Sequence, residues 1–233
     1  MRLLPFTFGL LAVAGGLSGL AACSPKPAEK PPVAAPEAPQ AVAPKDFPAG
    51  EYKLDKSHAS LTFTVNHTGF STYTAGFDAF DAQLTIDPKA PEAAKLTASV
   101  EVKSLDLPTP PTGFHDSLMG AQWFDAAKYP QMTFVSTRVE KTGDYTAKIY
   151  GDLTLHGVTK PVMLEATLNG GYAGFAPYDP AARVGFSAKG TIKRSDFGIS
   201  YGIPAPGTVM GVGDSVGIAI EAEFSGPPLK AEK

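Results

Sequence analysis

Eight stretches of this chain alternate apolar with polar or small residues at a period of two, and that alternation restricts the fold more than any other feature. Leu61, Phe63 and Val65 alternate with Thr62, Thr64 and Asn66. Phe80, Ala82, Leu84 and Ile86 share one parity, as do Leu96, Ala98, Val100 and Val102. Met132 and Phe134 flank Thr133; Ile149, Leu153 and Leu155 form a further set, and so do Val162, Leu164, Ala166 and Leu168. Val184, Phe186, Ala188 and Ile192, then Val216, Ile218, Ile220, Ala222 and Phe224, complete the series. Successive side chains of a strand point to opposite faces, so each stretch reads as a half-buried antiparallel strand. Asp87-Pro88 ends one of them, and Thr142-Gly143-Asp144 and Asn169-Gly170-Gly171 read as hairpin connections. Only one region suits a helix, near residues 115–128, broken by Gly120 and closed ahead of Pro130. The fold class is therefore all-β. Eight amphipathic strands must pair two sheets or close a barrel, and closure also removes exposed edges. An eight-stranded antiparallel barrel is just wide enough to be filled by its own side chains or to hold one small apolar ligand.

The N-terminal part obeys different rules. Arg2 precedes an apolar stretch from Leu3 to Leu20, and small residues lead to Cys23. A charged start, an apolar run and small residues before a cut site make a secretory signal peptide, here residues 1–22. The run is also long enough that it could just span a bilayer as an uncleaved helix, but Gly9, Gly15, Gly16 and Gly19 weaken that helix. Leu20-Ala-Ala-Cys23 resembles the lipobox of bacterial lipoproteins, which implies acylation of Cys23, the only cysteine of the 233 residues. Ser24 at the next position resembles the signal for sorting to the outer membrane, and the implied location is the periplasm. Residues 23–48, rich in Pro, Ala, Lys and Glu, read as a disordered linker of extended polyproline geometry. The expected organisation is then a barrel domain over 49–227 and a short tail over 228–233.

Composition removes several function classes. Net charge is −3 with no basic block, which leaves phosphate backbones without a matching surface, so nucleic acid is not an expected partner. A lipid on Cys23 leaves no thiol for catalysis or metal binding. His58, His67, His115 and His156 have no second ligand at metal-binding spacing along one strand or helix, so no metal is expected. No Gly-x-Ser-x-Gly elbow is present, and Gly211-Val-Gly213 is not followed by a helix that would make it a phosphate cradle. No cofactor is expected. Two alternatives to a non-catalytic role stay open: an envelope enzyme sited on the loops from Gly170 to Tyr178 and Ser200 to Gly213, and a structural partner of another envelope protein.

Four spaced motifs carry a resemblance. Asp55-Lys-Ser-His58 with Phe63-Thr-Val-Asn-His67-Thr-Gly69 and Gly76-Phe77-Asp78 opens the series. Trp123-Phe-Asp-Ala-Ala-Lys-Tyr-Pro130, Gly151-Asp-Leu-Thr-Leu-His-Gly-Val-Thr-Lys-Pro161 and Arg194-Ser-Asp-Phe-Gly198 follow in order. Together they resemble the YceI-like proteins from about Ala49 to Ser225. The resemblance implies an extended, lipocalin-like barrel whose lumen holds a long polyisoprenoid, of polyprenyl or quinone type. On that reading Phe63, Val65, Phe80, Leu84, Trp123, Phe134, Phe186, Ile192, Ile218 and Ile220 line the lumen; the same side chains could also simply fill a dry core. His156, Lys160 and Arg194 lie in matched motifs and are polar, so each could meet a lipid head group or serve strand-end hydrogen bonds. Two departures stand out: Trp123 where Phe is expected, and a Gly-, Pro- and aromatic-rich insert around Tyr172 to Asp179.

Overall fold

The structure, a computed structural model, describes residues 45–228. The signal peptide, Cys23, most of the linker and the tail beyond Pro228 lie outside the described residues. Eleven strands form one sheet: β1 (Lys45–Asp46), β2 (Gly50–His67), β3 (Ser71–Phe77), β4 (Phe80–Ile86), β5 (Lys95–Glu101), β6 (Leu105–Asp106), β7 (Gln131–Lys141), β8 (Thr146–Leu155), β9 (Val158–Tyr172), β10 (Ala181–Lys193) and β11 (Val212–Pro228). The last of them, β11, pairs back onto β2, with Ile218 opposite Phe63 and Ile220 opposite Leu61. Eight strands, β2, β4, β5, β7, β8, β9, β10 and β11, thus close an antiparallel barrel. All eight alternating stretches of the sequence fall on these eight strands, because their one-sided apolar pattern leaves each with a face that only closure can bury.

Three strands lie outside the alternation. β3 and β4 both pair with β2, at its two ends, and behave as one long strand interrupted at Asp78–Ala79. β6 continues β5 in the same way after a 3₁₀ turn and pairs with β3. β1 adds parallel to β9, with Lys45 opposite Gly171. The described residues thus include the end of the stretch read as linker, where β1 joins the sheet. Phe47, only 3% exposed, fixes this end by burying its ring in the core.

Two further expectations are corrected. The helix α1 covers only Phe114–Met119, and Gly120 to Pro130 is a series of turns rather than a continuation to 128. Gly120 takes extended backbone at φ −75°, ψ 171°, so the helix ends there. Asn169-Gly170-Gly171 is not a hairpin but part of β9. Gly185 pairs with Gly170 and Phe186 with Leu168, so Asn169 is the extra residue of a bulge. Gly171 has no side chain because a Cβ there would lie 2.7 Å from the Phe47 ring. The connection to β10 is made instead by residues 173–180. By contrast, His156-Gly157 forms a two-residue hairpin between β8 and β9, both at positive φ (52° and 74°), the primed-turn geometry that matches strand twist.

Two clusters of buried apolar residues pack toward the two ends of the barrel. The lower one gathers Phe47, Tyr52, Leu54, Leu84, Ile86, Val184 and Phe224. The upper one gathers Phe77, Val102, Leu105, Leu107, Leu118, Met132, Leu155, Phe197 and Ile199 beneath the long connection that carries α1. The connections from β2 to β3 and from β10 to β11 are also at the upper end. The loops of residues 87–94, 142–145 and 173–180 are at the lower end.

Candidate lipid cavity

A cavity of about 900 Å³ runs along the barrel, walled by all eight strands of the ring and by inward-facing members of both clusters. Its existence follows from side-chain size. Ala147, Ala166 and Ala188 stand side by side in register across β8, β9 and β10, all facing inward. Ala82 and Ala98 pair across β4 and β5, four strands away around the ring. Methyl groups on facing walls cannot meet across an eight-stranded barrel, so the middle stays open while larger residues fill the ends. Each alanine belongs to an alternating stretch, but their alignment depends on register and could not be read from any one stretch.

All ten residues read as lumen-lining stand on this wall: Phe63, Val65, Phe80, Leu84, Trp123, Phe134, Phe186, Ile192, Ile218 and Ile220. Phe134 owes its place to Gly151, where a Cβ would lie 2.3 Å from the ring. Phe63 and Phe124 stack against Phe77 from two sides, at 5.8 and 6.2 Å between ring centroids. Trp123 is at the upper end, edge-on to Tyr201 at 5.4 Å. The sequence reading missed Tyr73 and Phe77 of β3, whose alternation with Thr74 and Gly76 is short and interrupted. It also missed the rim from Pro108 to Pro111, which composition marks only as loop.

The wall carries few charges: Lys45, Lys141 and Asp144 at the lower rim, and Arg194 at the upper end. Arg194 is 5% exposed. Its Nε donates to the Gly213 carbonyl at 2.9 Å, Nη1 to Ile199 and Tyr201 at 3.0 and 2.8 Å, and Nη2 to Val212 at 2.7 Å. Trp123 covers it, with its ring centroid 5.3 Å from the guanidinium carbon. Burial lowers the Arg194 pKa, an effect that Asp214 opposes. The guanidinium thus clamps the two ends of the 199–213 loop, and its four hydrogen bonds all go to backbone carbonyls. His156 and Lys160 do not line the cavity. His156 sits in its hairpin turn with Nδ1 3.1 Å from the Phe197 carbonyl and its ring 4.9 Å from Tyr129. Lys160 is exposed at the end of β9, beyond the last β9–β10 pair at Leu164 and Gly190.

The loops proposed as an alternative enzyme site cannot form one site. Residues 173–180 and 199–211 are at opposite ends of the thirteen-residue β10, roughly 40 Å apart at about 3.3 Å per residue. Asp55, Ser57 and His58 do meet on the outer face, but His58 Nδ1 faces both the Asp55 carboxylate, at 3.1 Å, and the Ser57 hydroxyl, at 3.2 Å. One ring nitrogen cannot both abstract a proton from the serine and be oriented by the aspartate. Among the described residues no cluster of three metal-ligating side chains is found.

A closed antiparallel barrel around an apolar lumen defines a lipocalin-like protein. The chain belongs to the YceI-like family, whose domain model matches residues 52–224. Protein YceI of Escherichia coli O6:H1 is 44% identical over 153 residues, 65% of this chain and 77% of that protein. Burkholderia cenocepacia BcnA superposes with a TM-score of 0.61 at 25% identity, covering 73% of this chain and 98% of that one. A polyisoprenoid-binding domain from Saccharophagus degradans shares the fold at a TM-score of 0.57 and 14% identity, over 76% and 98% of the two chains.

Proposed function

We propose that this protein binds a long polyisoprenoid, or a closely related lipid of polyprenyl or quinone type, in its lumen and carries it in the periplasm without transforming it. Acylated Cys23 would hold the barrel to the outer membrane on the linker. The observation that supports this most is the apolar cavity itself, together with the alanine rows that leave it open. At about 30 Å³ per water-sized group, 900 Å³ takes about thirty such groups, or some six isoprene units. Each five-carbon unit contributes roughly 3–4 kcal/mol gross at about 0.8 kcal/mol per buried CH₂, so chain length and lumen shape dominate affinity. The Saccharophagus domain of the same fold, a polyisoprenoid binder by name, agrees with this choice of ligand. Native mass spectrometry of the protein purified from its own host tests the reading. A co-purifying mass in five-carbon steps is expected. An empty lumen in every preparation, with turnover of an envelope substrate, would replace the carrier by an enzyme. Changing Cys23 to Ser should release the protein from the membrane fraction.

A further inference from the structure

Both ends of the barrel expose large apolar side chains, but they differ in how those side chains are mixed with charge. At the lower end the exposed Tyr145, Phe175 and Tyr178 stand on loops that also carry Asp87, Lys89, Glu92, Asp144 and Asp179. At the upper end no Asp, Glu, Lys or Arg occurs between Lys56 and Asp78, between Asp106 and Asp116, or between Asp196 and Asp214. These three segments hold the β2–β3 turn, the proline rim with the start of α1, and the β10–β11 loop.

The same segments expose large apolar side chains. Phe70 at the turn tip is 83% exposed, Met210 69%, Val209 56% and Phe114 40%. The turn and the loop form one platform: Thr68 N–H donates to the Gly211 carbonyl at 2.8 Å, and a Cβ on Gly69 would lie 3.1 Å from Val209 Cβ. The Arg194 clamp holds the base of the loop, and Phe114 and the proline rim open directly into the cavity. Apolar tips that project from three charge-free segments beside a cavity mouth, with Asp116 of α1 just outside them, differ from the lower loops, whose exposed aromatics stand among carboxylates.

We propose that this upper end is a membrane-docking surface, with Phe70, Val209 and Met210 inserted among the acyl chains of a bilayer so that lipid passes between membrane and lumen through the mouth beside Phe114. The proposal rests on the lipid-carrier reading and adds where the carrier meets its source. Without basic residues in these three segments the contact is driven by apolar burial and depends little on anionic lipid or salt.

The test uses the full chain and its single tryptophan, Trp123. Trp123→Phe removes that signal with an aromatic ring kept at the position, and a retained melting transition confirms the fold. Adding Phe70→Trp, or in a second variant Tyr178→Trp, places one reporter at the upper or lower end; Tyr178 is 83% exposed. Each variant is mixed with phosphatidylcholine vesicles whose acyl chains are brominated, since bromine quenches tryptophan on contact. The expected result is a blue shift and loss of emission at position 70, with none at 178. Equal emission at position 70 with and without bromine, or equal quenching at both ends, overturns the proposal. So does shielding of position 70 by host envelope proteins but not by vesicles, which would assign the face to a protein. If Phe70→Trp fails to fold, Val209→Trp reports from the same platform. Quenching at position 70 with an empty lumen in native mass spectrometry keeps the docking and removes the carrier; a filled lumen without quenching removes the docking alone.

Discussion

Replacing Arg194 with Met separates a structural role from ligand recognition. The substitution keeps length and apolar stem but removes four hydrogen bonds to the carbonyls of Ile199, Tyr201, Val212 and Gly213, at 2.7–3.0 Å. Hydrogen bonds from a charged donor are worth about 1.5–3 kcal/mol each, a gross loss of roughly 6–12 kcal/mol. Relief of the buried guanidinium's desolvation returns several kcal/mol, and water reaches the carbonyls that are only partly buried. The net loss is about 3–5 kcal/mol, as for breaking other buried charge networks. For a domain of this size that lowers Tm by about 6–20 °C. Because every lost bond falls on the 199–213 loop, protease should cut first within Tyr201–Met210. The assay is a thermal melt paired with timed proteolysis and native mass spectrometry of lipid occupancy. A variant with unchanged Tm and an uncut loop that nevertheless arrives without lipid would refute the clamp and return Arg194 to head-group recognition.

Three further outcomes follow from other parts of the molecule. Ile218→Trp, on the wall opposite Phe63 and Gly190, should lower lipid occupancy at a stability cost of about 1–3 kcal/mol, checked by native mass spectrometry on protein with an intact melting transition. Gly226→Ala places a Cβ 2.1 Å from the ring of Tyr52, which is 1% exposed and has no room to turn, so a loss of about 1–3 kcal/mol is expected in urea unfolding. Hydrogen bonds from the Ser57 hydroxyl, then from His58 and Arg183, hold the Asp55 carboxyl well below the usual carboxylate range. A depressed folded pKa stabilises above the unfolded value of about 3.9 and is lost as pH falls toward the folded one, so Asp55→Asn should flatten the acid limb of a stability–pH curve and leave its neutral slope unchanged.

The sequence alone carried the parity of all eight ring strands, and with it the inward face of nine of the ten residues read onto the lumen wall; Trp123, which stands on no strand, came from a matched motif. This was possible because the two-residue period of a strand is a local property, and eight one-sided strands have few ways to bury their faces. The primed turn at His156-Gly157 shows the limit. Its residues stand out in the sequence, but a polar side chain in a motif does not reveal whether it serves a ligand or the backbone. Only the tertiary structure decided that Arg194 spends its donors on four carbonyls, since those carbonyls come from a loop and a strand that the chain brings back to it. It likewise placed Asn169-Gly170-Gly171 within a strand, because Phe47, more than a hundred residues earlier, packs against Gly171. The cavity is the clearest case. Alanines at positions 82, 98, 147, 166 and 188 are unremarkable one by one; non-local register aligns them, and open space is a property of the aligned set.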